Sequence, residues 1–166
     1  MKVINQVNQS QVFNHWEKVE KISISQRMDI VFPLVAYADL QWNQTRLEKA
    51  DLNKIYIISS DDWKGDGLCI PDFKLVSAIN NYQKSTKLKG KFADIKAKED
   101  IFTSGSSVLD TRLILVAMDK DGPLTIIEGN KRSVALGNLG KLVDLEVYVG
   151  TSSAIKNYVW SRHAYE

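Results

Sequence analysis

"RLILVAMDKDGPLTIIEGNKRSVALGNLGKLVDLEVYV", Arg112–Val149, decides the fold. "RLILVAMD" is an unbroken apolar run and reads as a strand. "KDGP" follows, with Asp121-Gly122 as a hairpin signal. "LTIIE" reads as the returning strand. "NKRSVALGNLGKL" predicts a helix that buries Val134, Leu136, Leu139 and Leu142, with Gly140 near its C-terminus. "DLEVYV" reads as a third strand. Strands around a helix imply an α+β or mixed α/β class, a small mixed sheet packed by helices.

The junction "IIEGNKRS" (Ile126–Ser133) carries the chemistry. Gly129 supplies the backbone freedom for a sharp turn after Glu128. Asn130 is a good helix N-cap. The amides of Lys131, Arg132 and Ser133 would then be unpaired donors at the positive end of the helix, ready for an anion. Arg132 adds a fork of donors suited to phosphate, and Lys131 a second charge. Two cations at a helix start work against the macrodipole, which points to an anionic ligand. A capped turn with two solvated cations is the other reading of the same residues.

From about Asp110 to Gly150 the order of strand, "KDGP" turn, strand ending in Glu128-Gly129, Gly129-Asn130-Lys131-Arg132 and short strand resembles the ParB/sulfiredoxin superfamily. The resemblance implies that Gly129, Asn130, Lys131, Arg132 and Ser133 lie against the phosphates of a nucleotide. It implies ATP or CTP as the ligand, with magnesium as a candidate companion. Glu128 and Arg132 are the catalytic candidates, with Glu128 as a general base or an aid in holding a metal ion. Sulfiredoxins carry a catalytic cysteine where Asn130 stands and a histidine where Lys131 stands, so sulfinic-acid reduction is not expected. Only a short tail follows Gly150, so the helix-turn-helix reader of partition proteins is not expected. The expected activities are nucleotide hydrolysis (an ATPase or CTPase), kinase-like phosphoryl transfer to a small molecule, or nuclease action. A non-catalytic protein-interaction module, its partner unknown, is a further alternative.

Outward from this core, the chain of 166 residues fits a single domain, with residues 1–80 as an N-terminal elaboration and 110–150 as the recognisable core. Its 44% hydrophobic and 25% charged residues suit a soluble globular protein. A net charge of +2 does not by itself imply nucleic acid. However, Lys84, Lys87, Lys89 and Lys91, with Lys96 and Lys98 beyond, form a run that could follow a DNA backbone. Such a run also suits a plain solvated surface. The single cysteine, Cys69, cannot form an internal disulfide, which fits a reducing compartment. The polar start lacks a signal-peptide core, and no window is long enough to span a membrane, so a cytoplasmic protein is expected.

"SQVFNHWEKVEKI" predicts a helix capped by Ser10, with Val12, Phe13, Trp16 and Val19 on one face. "DIVFPLVAY" reads as an edge strand or buried loop, because Pro33 removes a ladder donor. "TRLEKADLNKI" has some helical character, "IYIIS" reads as a strand and "SSDDWKGDG" as a polar turn. "PDFKLVSAINNY" reads as a helix opening at Pro71-Asp72, "FTSGSSVLD" as a loop, and "SAIKNYVWSRHAY" as a closing helix. Asp61 and Asp62 read as turn acids rather than metal ligands, and Cys69 as a core residue. Trp160 and His163 read as packing within that closing helix, with base stacking and proton relay as the alternative.

Overall fold

A computed structural model describes residues 1–21, 39–105 and 110–166. Its centre is the stretch that decides the fold. β4 (Leu113–Ala117) and β5 (Leu124–Glu128) are antiparallel neighbours. The turn between them is held by Asp119 Oδ1, which accepts from the amides of Asp121 (2.9 Å) and Gly122 (2.7 Å). α5 (Asn130–Asn138) then carries the chain to β6 (Glu146–Thr151), which lies parallel to β4 on its other side. Every residue of β4 is buried. Leu113, Leu115 and Ala117 enter one core while Ile114 and Val116 enter a second. A strand covered on both faces has no polar side, which is why its sequence is an unbroken apolar run.

The sheet has six strands in the order β1-β2-β6-β4-β5-β3. β1 (Lys2–Val7) and β2 (Gln41–Arg46) are antiparallel, and β2 is antiparallel to β6, so the start of the chain belongs to the same sheet. β3 (Ile55–Tyr56) pairs in parallel with β5 at the other edge. The fold is α+β with a mixed sheet, as expected. One face is covered by α3 (Leu75–Lys84), α4 (Lys91–Thr103) and α5. The other is covered by α1 (Gln9–Glu20) and by the C-terminal turns through Ile155 and Tyr158. Gly150 makes room for α1's side of the sheet: a Cβ there would sit 2.9 Å from the Trp42 ring.

Several local expectations change. α1 is capped by Asn8, not Ser10. Asn8 Oδ1 accepts from the Gln11 amide and Gln11 Oε1 from the Asn8 amide, both at 2.9 Å, a reciprocal capping box. Val12 and Trp16 are buried as expected, Phe13 and Val19 only partly. β1 and β2 were not expected as strands. "TRLEKADLNKI" supplies the end of β2 and a 3-10 turn, Lys49–Lys54. "IYIIS" is a strand only over its first two residues. The turn "SSDDWKGDG" contains a short helix, α2 (Asp61–Gly65).

The helix expected from Pro71 starts at Leu75. The second half of the lysine-rich stretch, from Lys91, forms α4, which buries Phe92, Ile95 and Glu99 against α5. Glu99 is satisfied by Asn138 Nδ2 (2.6 Å) and Tyr82 OH (3.1 Å). Phe102 and Thr103 belong to α4 rather than to the expected loop. α5 ends at Asn138, where Gly140 N–H bonds Gly137 O and Lys141 N–H bonds Leu136 O, with Gly140 at φ 68°. The closing helix is broken into 3-10 turns, Ser153–Asn157 and Val159–Ser161, and one short helix, α6 (Arg162–Tyr165). The expected strand or loop "DIVFPLVAY" lies outside the described residues. Among the described residues no helix is long and apolar enough to cross a membrane.

Candidate functional site

The chain leaves β5 at Glu128 and turns at Gly129, whose φ of 95° disfavours any side chain. A Cβ there would also lie 2.6 Å from Leu113 Cδ2 and 3.1 Å from Arg132 Nη2. Gly129 is itself the N-cap, so Asn130 is the first helical residue rather than the cap. Asn130 Oδ1 instead accepts from the Ile58 amide (3.0 Å) and ties α5 to the segment after β3. The Ser133 amide closes the first helical bond to Gly129 O (2.8 Å), and Ser133 Oγ donates to Asn130 O (2.7 Å). Ser133 is buried, and both its amide and its hydroxyl are engaged within this turn. The amides without a helical acceptor are those of Asn130, Lys131 and Arg132, one residue earlier than expected.

Arg132 folds back over this turn, and its side chain is only 3% exposed. Nη1 donates to the Asp110 carbonyl at 3.3 Å. Nη2 lies 3.5 Å from Glu128 Oε1 and 3.9 Å from Glu20 Oε1, both beyond good hydrogen-bond length. Nε makes no hydrogen bond among the described residues. A buried guanidinium with an unmet donor is costly unless a further acceptor completes it.

Glu128 is 13% exposed and accepts from the Gly129 amide at 2.7 Å. Burial, followed by the charge and hydrogen bonding of Glu20, pushes its carboxyl up to about 7. The Arg132 guanidinium pulls the other way but stands too far off to reverse this. Glu128 can therefore exchange a proton near neutrality.

These groups open on a cavity of about 370 Å³. Ile58, Ile127 and Trp63 form apolar wall, Trp160 an aromatic flank, and Lys98 a further cation. Lys131 also lines it, but its Nζ is tied to Asp94, and this contact holds the Asp94 carboxyl below the usual range. Comparison with known protein families, curated proteins and solved structures finds no match.

Apart from Lys98, the lysine run does not line the cavity. Lys84, Lys87 and Lys89 are exposed and do not line the cavity. Lys87 Nζ donates to Asp66 O (2.8 Å), and Lys91 is held between Asp62 and Asp66, both at 2.8 Å. Asp62, pulled low by Lys91 and Ser60 against its burial, is thereby occupied, and Asp61 pairs with Arg162 (3.2 Å). Among the described residues no group of three or more His, Cys, Asp or Glu side chains could hold a metal ion. Cys69 is buried and its thiol pushed up to about 12 by desolvation, which fits a core residue. His163 stacks on Phe73.

Two groups at the site went unnoticed in the sequence. Glu20, the last residue of α1, reaches Arg132 and Glu128 from a distant part of the chain, and nothing near it in sequence marks that role. Behind Arg132, Asp110 is gripped by Arg112 Nε (3.0 Å) and faces His15 Nδ1 (3.3 Å), while Arg112 Nη1 donates to Tyr148 OH (2.6 Å). Burial opposes the Asp110 carboxylate but its bonds to Arg112 outweigh this, and its pKa is lowered. Burial disfavours the charged form of His15 as well, and its pKa is lowered despite Asp110. This network fixes the segment whose carbonyl holds Arg132.

Proposed function

We propose that the protein binds a nucleotide, ATP or CTP, with its phosphates at the Gly129–Arg132 turn, and hydrolyses it or passes a phosphoryl group to a small acceptor. One observation carries this reading: a buried arginine whose Nε–H is unmet among the described residues lies beside three first-turn amides at the wall of a cavity. Phosphoryl transfer asks mainly for positioning and charge neutralisation, and Arg132, the amides and Lys98 supply both. The Glu128–Glu20 carboxyl pair would take the proton of the attacking hydroxyl, and Trp160, which lines the cavity, would flank the base.

The donors present suit an oxyanion. Magnesium, which is commonly held by one or two carboxylates plus substrate phosphates, would come bound to the nucleotide rather than sit in a protein cage. The expected ParB/sulfiredoxin resemblance would put the phosphates at the same Gly129–Arg132 turn. Titrating ATP and CTP against wild type, Arg132→Ala and the milder Arg132→Lys tests it. Loss of tenfold or more in affinity in the alanine variant, about 1.4 kcal/mol, is expected. Wild type that binds neither nucleotide ends the proposal. The DNA-acting alternative ranks second, since Lys87 and Lys91 already serve Asp62 and Asp66.

A further inference from the structure

Three charged side chains from three elements meet at the cavity: Glu20 from the end of α1, Glu128 from the end of β5 and Arg132 from the first turn of α5. Both carboxyls lean on one guanidinium, at 3.9 and 3.5 Å. The neighbouring charges do not relieve them. Asp110 turns its carboxylate to Arg112 and His15 and gives Arg132 only its carbonyl. Lys131 is committed to Asp94, and Asp62 to Lys91. Lys98 remains as the cavity's other cation. An oxyanion arriving at Nε and the first-turn amides would therefore meet two carboxylates beside its own charge. Like charges this close in a desolvated site cannot all stay ionised.

We propose that the site takes up a proton together with its anion: when a nucleotide phosphate binds Arg132 and the first-turn amides, Glu128 gains a proton that it shares with Glu20, and loses it when the ligand leaves. This rests on the reading that the turn holds a nucleotide. The step balances simply. One proton passes from solvent to a Glu128 carboxylate oxygen, no bond of the ligand changes, and the pair keeps a single negative charge. That remaining carboxylate is still a base. Burial already brings Glu128 to the edge of protonation at neutral pH, so the ligand's charge need only complete the shift.

Calorimetric titration of the full chain with ATP and with CTP tests this, run in two buffers of different ionisation heat at about pH 6, 7.5 and 9. Net proton uptake and affinity that weakens roughly tenfold or more from the acid to the alkaline end are expected. The nucleotide's own phosphate titrates in this range, so the decisive measurement is the difference from Glu128→Gln, whose amide cannot take the proton. Glu20→Gln, at the more exposed partner, provides a second variant should the first fold poorly. In either variant the pH slope and proton count should fall to those of the nucleotide alone. Equal slopes and proton counts in wild type and variants overturn the inference and leave nucleotide binding intact. No binding by wild type at any pH overturns both.

Discussion

Gly129 shows how much a single position can demand. Gly129→Ala must pay the left-handed backbone cost, on the order of 1–3 kcal/mol, and also drive a methyl into Leu113. Urea unfolding should show a loss of more than about 2 kcal/mol. An unchanged midpoint would mean the turn is not built this way. Glu128 makes a different demand. Its usual value of 4.5 is raised to about 7 in the folded protein. Between those values the native state binds more protons than the unfolded one, so Glu128's contribution is full below 4.5 and lost as pH rises through 7. Glu128→Gln carries no such dependence. Its stability relative to wild type should improve by on the order of 1–3 kcal/mol between about pH 4.5 and 8. Parallel stability curves for the two proteins across that range would contradict the raised carboxyl.

At the scale of elements, the cap of α1 offers a direct comparison. Asn8→Ala removes one half of a reciprocal box and should cost about 1 kcal/mol. Ser10→Ala, inside the first turn and exposed, should change stability by less than about 0.5 kcal/mol. Thermal unfolding of the pair decides between the two caps, and a larger loss at Ser10 would reverse the assignment. Ser10 looked like the cap because the apolar face begins at Val12. The helix in fact begins a turn before its apolar face, where polar residues give no periodic signal. β1 and β2 were illegible for a related reason. Val7 alone is buried in β1, and Trp42 and Thr45 alone in β2, too few to write an alternating pattern. β4 and β5 were legible because both their faces are covered. The glycine turn and Arg132 could be placed because one short stretch contains them. Glu20 could not, since only the packing of α1 on the sheet brings it to Glu128.

For the whole molecule, the question is which cations belong to the cavity. Six lysines crowd one stretch of sequence, yet the fold separates them. Lys98, on the last turns of α4, lines the cavity, while Lys84, Lys87 and Lys89 sit at the end of α3 and in the loop beyond it. Lys91 is spent on α2. A nucleotide site predicts that these lysines differ. Lys98→Ala should weaken ATP or CTP binding roughly two- to fivefold, as a partly exposed ion contact does. Lys84→Ala and Lys89→Ala should leave it within about twofold, since neither reaches the cavity. A lysine surface that tracks DNA predicts the reverse. Association would then weaken steeply with salt, and Lys84→Ala or Lys89→Ala would each reduce the slope by about one. Nucleotide titrations and DNA binding at two salt concentrations on the same three variants therefore separate the two readings. A loss of nucleotide affinity at Lys84 or Lys89 equal to that at Lys98 would show that the ligand does not sit at the Gly129 turn.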